Sequence, residues 1–159
     1  MKKIKITTEK LWAKNKYDVM AKGYQHYSHV KTLFKQTTST EDYLKIYLYI
    51  KATRENPYTT KGMINTLEHL WGYFKKTAST DEKQLFFTLL AKVKDITQTE
   101  FDEPPLEINE TLSYLIQLLE RYDQPYLKNS TILYSELLWN EVTLKKETYH
   151  LTENHYVEE

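Results

Sequence analysis

The sequence predicts an all-α fold, a single-domain bundle of five to six helices, and three observations predict it. Apolar residues recur at spacings of three and four, the period of a helix face, from Leu11 to Leu119. Glycine and proline, which the many turns of an all-β fold require, number only three and four in 159 residues. Helix start and stop signals fall at the edges of the periodic stretches. The body of the domain is therefore expected to contain no sheet.

Residues 1–10, MKKIKITTEK, are basic with no apolar run behind them. They are expected to form an N-terminal segment outside the domain, and they do not resemble a signal peptide. The first periodic stretch runs from Leu11 to Phe34 with Ala13, Tyr17, Met20, Tyr24, Tyr27, Val30 and Phe34 on one face. Gly23 lies within it and is a point at which it can divide into two helices. Ser39-Thr40-Glu41-Asp42 is a helix start, because a hydroxyl can cap the free amides and early acids suit the helix dipole. The helix it opens carries Tyr43, Ile46, Tyr47 and Ile50 and stops before Asn56-Pro57. The next runs from about Thr60 to Lys76, with Met63, Leu67, Leu70, Trp71 and Phe74 inward. Ser79 and Glu82 have the spacing of a capping box, opening a helix with Phe86, Leu89, Leu90, Val93 and Ile96 on one side.

The stretch from Glu100 to Pro105 is an acidic connector stiffened by two prolines. Ile108, Leu112, Leu115, Ile116 and Leu119 are in phase on a further helix, which Asp123-Gln124-Pro125 ends. The helical domain thus spans residues 11–127. Residues 128–159 form a C-terminal extension with a weak pattern, in which Thr131 to Leu138 could form another helix.

Composition excludes several functions. With no cysteine, this chain has no disulfide, thiolate zinc site or cysteine nucleophile. No stretch approaches the roughly 18 apolar residues that cross a bilayer, so a soluble protein with no membrane role is expected, and the absence of cysteine is compatible with a reducing cytoplasm. The net charge of zero hides an asymmetry: residues 1–80 carry 15 Lys/Arg against six Asp/Glu, and residues 81–159 carry seven against sixteen. Either the basic half meets an anionic partner, or the two halves attract each other, within one chain or across a homodimer. The 14 tyrosines suit helix margins and binding surfaces alike, since each buries a ring and keeps a hydroxyl.

Clusters able to carry catalysis are few. His26 and His29 lie three apart, but no HExxH pattern or third ligand accompanies them, and they are read as surface histidines rather than a metal site. There is no phosphate loop, GxGxxG or GxSxG. No cofactor and no catalytic residue is assigned. The helix from Thr60 carries a second stripe, Asn65, His69, Gly72 and Lys76, flanked by Tyr73 and Lys75. A glycine there costs a helix about 1 kcal/mol relative to alanine, which marks Gly72 as a point of close approach. The approach is either a tight helix crossing with His69 buried and hydrogen-bonded, or an anion or nucleotide contact.

The stretches LWAKNKYDVMAKGYQHY and NTLEHLWGYFKK resemble the YbgA-like family of bacterial helical domains. The resemblance rests on Lys16, Met20-Ala21 and Tyr27, on Asn65, His69, Gly72-Tyr73-Phe74 and Lys75, and on Pro125-Tyr126-Leu127. It covers about Leu11 to Leu127. Many members of that family have histidine where this chain has Lys22 and Met63, and Gln and Tyr where it has Ser130 and Ile132. A histidine-dependent chemistry is therefore not carried over. The resemblance implies an α-helical fold in the bacterial cytoplasm. It also implies, by association with members fused to thiouracil desulfidase-type domains, an accessory that binds RNA or tRNA.

Residues and resemblance together lead to three readings. The first is a non-catalytic module binding RNA, tRNA or another phosphate-bearing ligand through Lys16, Lys22, Asn65, His69, Gly72, Tyr73, Lys75 and Lys76. The second is an enzyme or small-molecule-binding protein with His69 as its internal acid or base. The third is a structural domain whose charged halves pair in a homodimer. A contiguous basic patch, a closed pocket around His69, or a basic face buried against an acidic one would distinguish them.

Overall fold

A computed structural model describes residues 1–157. Six α-helices dominate it: α1 (Lys2–Lys22), α2 (Tyr24–Gln36), α3 (Thr40–Thr53), α4 (Thr60–Trp71), α5 (Thr80–Lys94) and α6 (Leu106–Arg121). The helical bundle expected from the periodicity is therefore the observed architecture. Two small antiparallel ladders accompany it. β1 (Tyr58–Thr59) pairs with β2 (Glu100–Phe101), with Tyr58 opposite Phe101. β3 (Glu141–Leu144) forms a hairpin with β4 (Glu147–His150). The first ladder lies in the body of the domain, against the expectation of no sheet there. It ties the entry to α4 to the connector before α6, and Phe101 is buried under Tyr58.

The helix boundaries follow local chemistry. Gly23 adopts φ 154°, which an L side chain rarely adopts, and this breaks the long N-terminal stretch into α1 and α2. Ser39 with Asp42, and Ser79 with Glu82, form complete capping boxes at the starts of α3 and α5. α4 is capped by Thr59, whose side chain accepts from the Gly62 amide.

α1 is the shared wall between two cores. Tyr17, Met20 and Ala21 pack with Met63, Leu67, Leu70, Phe86 and Leu115 of α4–α6 and with Phe74 of the turns after α4. Leu11 and Val19 face Val30, Tyr43, Ile46, Tyr47 and Ile50 of α2 and α3, with Val142, Leu151 and Tyr156 of the C-terminal part. Residues 2–10 are not a separate segment, because α1 runs through them. Thr7 and Thr8 are fully buried there, bonded to His155 and Tyr156 at 2.7 and 2.8 Å. The helix considered over Thr131 to Leu138 does not form. The Thr131 amide is drawn instead to the Lys14 carbonyl of α1, and the following amides close turns on Ser130.

The close crossing of α1 and α4 occurs at Gly62, not Gly72. A Cβ on Gly62 would lie 2.7 Å from the Ala21 carbonyl oxygen and 2.9 Å from that of Met20.

Candidate functional site

α1 turns Tyr17 toward α4, and the turns that follow α4 bring Tyr73 to meet it. Their hydroxyls are 2.8 Å apart and their rings pack edge-on at 6.2 Å. The chain reversal at Asp123-Gln124-Pro125 then lays Tyr126 beside Tyr73, with rings 12° from parallel and 6.1 Å between centroids. The Gln124 side-chain amide fastens this reversal by donating to the Tyr73 carbonyl at 3.0 Å. Lys16 completes the group: its Nζ lies 4.9 Å from the centre of the Tyr126 ring and 5.3 Å from that of Tyr17. Burial, aided by the bond to Tyr73, pushes the Tyr17 phenol well above its usual range, so it stays neutral. Tyr126 keeps 44% of its surface in solvent. The result is an ammonium beside an exposed aromatic face held from below by two further tyrosines. Chemically it can take a planar, anionic ligand, the ring by stacking and the charge by the lysine.

Lys16 and Tyr73 are thus brought together through Tyr17 and Tyr126; the signal for Tyr126 was its place in the Pro125-Tyr126-Leu127 motif. The remaining predicted residues are placed differently. Lys22 is buried, with 6% exposure, and its Nζ donates to the Asn56 carbonyl at 2.6 Å and lies 4.0 Å over the Tyr58 ring. Burial lowers its pKa, against the pull of Asp18. It belongs to an internal network rather than to a phosphate-binding surface. Asp18, 3% exposed, accepts from the Tyr58 hydroxyl at 2.5 Å and from Arg54 at 3.2 Å, and Arg54 reaches on to Asn15 at 3.3 Å.

Asn65 is half-buried, and His69, Gly72, Lys75 and Lys76 are exposed. α4 ends at Trp71, short of the expected Lys76, so Gly72 and Lys76 lie in the turns beyond it; His69 is exposed, and so is neither a buried hydrogen-bonding residue nor an internal acid or base. Gly72 is an exposed helix C-cap with φ −53°, and a Cβ there would meet only the backbone of its own turn, the His69 carbonyl oxygen at 3.1 Å. The close approach read into Gly72 is therefore absent. His26 and His29 both lie against Tyr49, His26 through a 2.7 Å contact from Nδ1 to the hydroxyl and His29 with rings 4.5 Å apart. Among the described residues no group of three or more His, Asp or Glu converges as metal ligands, and no helix is long and apolar enough to cross a membrane.

Among the described residues, direct ion pairs neutralise little of the charge asymmetry. Of the five ion pairs among the described residues, only Lys51–Glu153 joins the basic half to the acidic half.

No curated protein and no solved structure matches the chain. A family model described as "Protein of unknown function (DUF1722)" matches residues 16–135, which is 120 of 159 residues and includes every residue of the tyrosine cluster. The chain belongs to the DUF1722 family.

Proposed function

We propose that this chain is a non-catalytic binding module for a phosphate-bearing ligand, RNA or tRNA in the first instance. The observation that carries this reading is the Lys16–Tyr17–Tyr73–Tyr126 arrangement, a partly exposed ring with a cation 4.9 Å over its centre. Single-stranded bases stack on such rings, and lysines supply the salt-sensitive attraction to phosphate. The unneutralised charge of the basic half supports it, as does the resemblance to YbgA-like domains, which also points to a bacterial cytoplasmic setting. An enzyme built on His69 has no support, because that side chain stands in solvent.

Electrophoretic mobility shifts with tRNA and with single-stranded RNA, at low and moderate salt, test the reading. Binding is expected at low salt and weakened at higher salt. Tyr126→Ala should remove about 1–3 kcal/mol of binding if a base stacks there, and Lys16→Glu should weaken binding with the melting temperature unchanged. A sedimentation measurement on the same samples tests the homodimer. A dimer that dissociates on Lys16→Glu, with no RNA bound at low salt, would replace this reading by pairing of the charged halves.

A further inference from the structure

Two depressions follow one another along a single face of α1, where the helix packs against the C-terminal hairpin. The first, about 450 Å³, lies between Lys2, Lys3 and Ile6 of α1 and Leu144 and Lys145 of the hairpin. The second, about 310 Å³, lies between Lys10, Ala13 and Lys14 of α1 and Thr143 of β3, and it ends at Tyr126. Residues 3, 6, 10, 13 and 14 share a helix face by their three- and four-residue spacing, so the two depressions lie in line and we take them together as one groove. It leads from the hairpin tip to the ring beside Lys16. From Lys3 to Lys16 the helix rises about 20 Å. The lining holds five lysines (Lys2, Lys3, Lys10, Lys14, Lys145) and two glutamates (Glu141, Glu147), and none of the five lysines is in an ion pair among the described residues, although the Lys14 Nζ already donates to the Glu141 carbonyl at 2.7 Å, which leaves Lys2, Lys3, Lys10 and Lys145 to meet phosphate.

The hairpin tip adds an independent observation. Lys145 and Lys146, the two residues between β3 and β4, both have left-handed backbones, with φ 51° and 70°. A two-residue turn of this kind favours Asn-Gly, because left-handed backbone is unfavourable for other side chains. Two adjacent lysines there add mutual repulsion to that strain. Nothing in the packing of the hairpin calls for either cation, since both side chains are exposed. Backbone strain held at a basic surface is a mark of a site where the side chain matters more than the fold.

We infer that the groove between α1 and the hairpin is the track for the backbone of a single strand of nucleic acid, whose base at one end stacks on Tyr126. This inference rests on the proposed function and adds the strandedness, footprint and path of the ligand. A single strand fits because a ring can stack only on an unpaired base. The path lies mainly outside the part matched by the family model, since Lys2, Lys3, Lys10, Lys14 and the hairpin all fall beyond residues 16–135. The footprint is on the order of four nucleotides, the low end for single-strand sites. An acidic peptide would use the lysines but would gain nothing from the tyrosine face.

Fluorescence anisotropy with labelled oligouridylates of two to twelve nucleotides and with a twelve-base-pair RNA duplex tests this on the full chain. Affinity should rise with length up to the footprint and then level, and the duplex should bind at least tenfold more weakly than the long single strand. Lys10→Glu should lower affinity for the long strand about tenfold and leave the dinucleotide unchanged. The double variant Lys145→Asn/Lys146→Gly relieves the turn, so its melting temperature should rise while its affinity for the long strand falls severalfold. Wild-type affinity in both variants, with RNA still bound through Tyr126, would overturn the groove and leave the proposed function standing. Equal binding of duplex and single strand would also overturn the groove. Binding of none of these probes would overturn both, and binding of poly-glutamate in their place would assign the surface to acidic peptides.

Discussion

Substituting Gly62 by alanine tests the packing that positions the site. The added Cβ would stand 2.7 Å from the Ala21 carbonyl oxygen, where ordinary contact begins at 3.4 Å, so α1 and α4 must part locally by about 0.7 Å. Both oxygens it meets on α1 are backbone and cannot swing aside. A gap of that size forfeits a quarter to a half of the dispersion attraction between facing atoms, here among Tyr17, Met20, Met63, Leu67 and Leu70. Overpacking of this kind costs about 1–3 kcal/mol. The Cβ would also press within 2.7 Å of the Thr59 hydroxyl that caps α4, and a lost cap costs about 0.5–2 kcal/mol. The better helix propensity of alanine returns about 1 kcal/mol. The net is a destabilisation of about 0.5–4 kcal/mol, which at about 2–4 °C per kcal/mol for a chain of this size lowers the melting temperature by roughly 1–16 °C. Gly72→Ala is the control: exposed and right-handed, it should leave the melting temperature unchanged or raise it. Calorimetric melts of the two variants decide the matter. A Gly62→Ala protein as stable as the parent, or a Gly72→Ala protein less stable than Gly62→Ala, would refute the assignment of the close crossing.

Three further outcomes follow from buried polar groups. Tyr58→Phe removes the hydroxyl that donates to buried Asp18 and should cost about 1.5–3 kcal/mol in a denaturant titration; an unchanged midpoint would mean that Arg54 alone satisfies Asp18. His155 is held below its usual pKa by burial and then by Lys3, so the unfolded chain binds more protons as the pH drops below about 6.5. Stability should fall through that window, and His155→Gln should flatten the slope seen by thermal melts. The Glu82 carboxyl is lowered to about 2, first by the Tyr122 hydroxyl and then by the Ser79 amide, with Arg121 assisting. Its contribution is present above about 4.5 and is lost as pH falls toward 2, and Glu82→Gln should remove this part of the acid transition.

The helices were legible where the information is local. Ser39 and Ser79 announce α3 and α5 by hydroxyls that bond amides three residues away, and Gly23 breaks the first helix through its own φ. What could not be read depends on distant partners. Residues 2–10 lack an apolar stripe because Thr7 and Thr8 occupy buried positions, satisfied by His155 and Tyr156 at the other end of the chain. Lys22 reads as a surface charge until Asn56 and Tyr58 enclose it. The hairpin carries no Asn-Gly signal, because two lysines hold the turn. Of the site, Lys16 and Tyr73 stand in the sequence motifs themselves. Their junction through Tyr17 and Tyr126 is a tertiary fact spanning residues 16 to 126, which no local pattern encodes. The stripe on α4 misled because a glycine at a helix C-cap and one at a helix crossing look alike in sequence.

The measurement that bears most directly on the central claim is the salt dependence of single-stranded RNA binding. Each phosphate contact contributes about −0.7 to the slope of log affinity against log salt. With three or four lysines of the groove engaged, the slope should lie between about −2 and −3, and Lys10→Glu with Lys145→Glu should reduce its magnitude by about 1.4. A flat dependence, a slope unaltered by the double substitution, or no detectable binding at low salt would contradict the account.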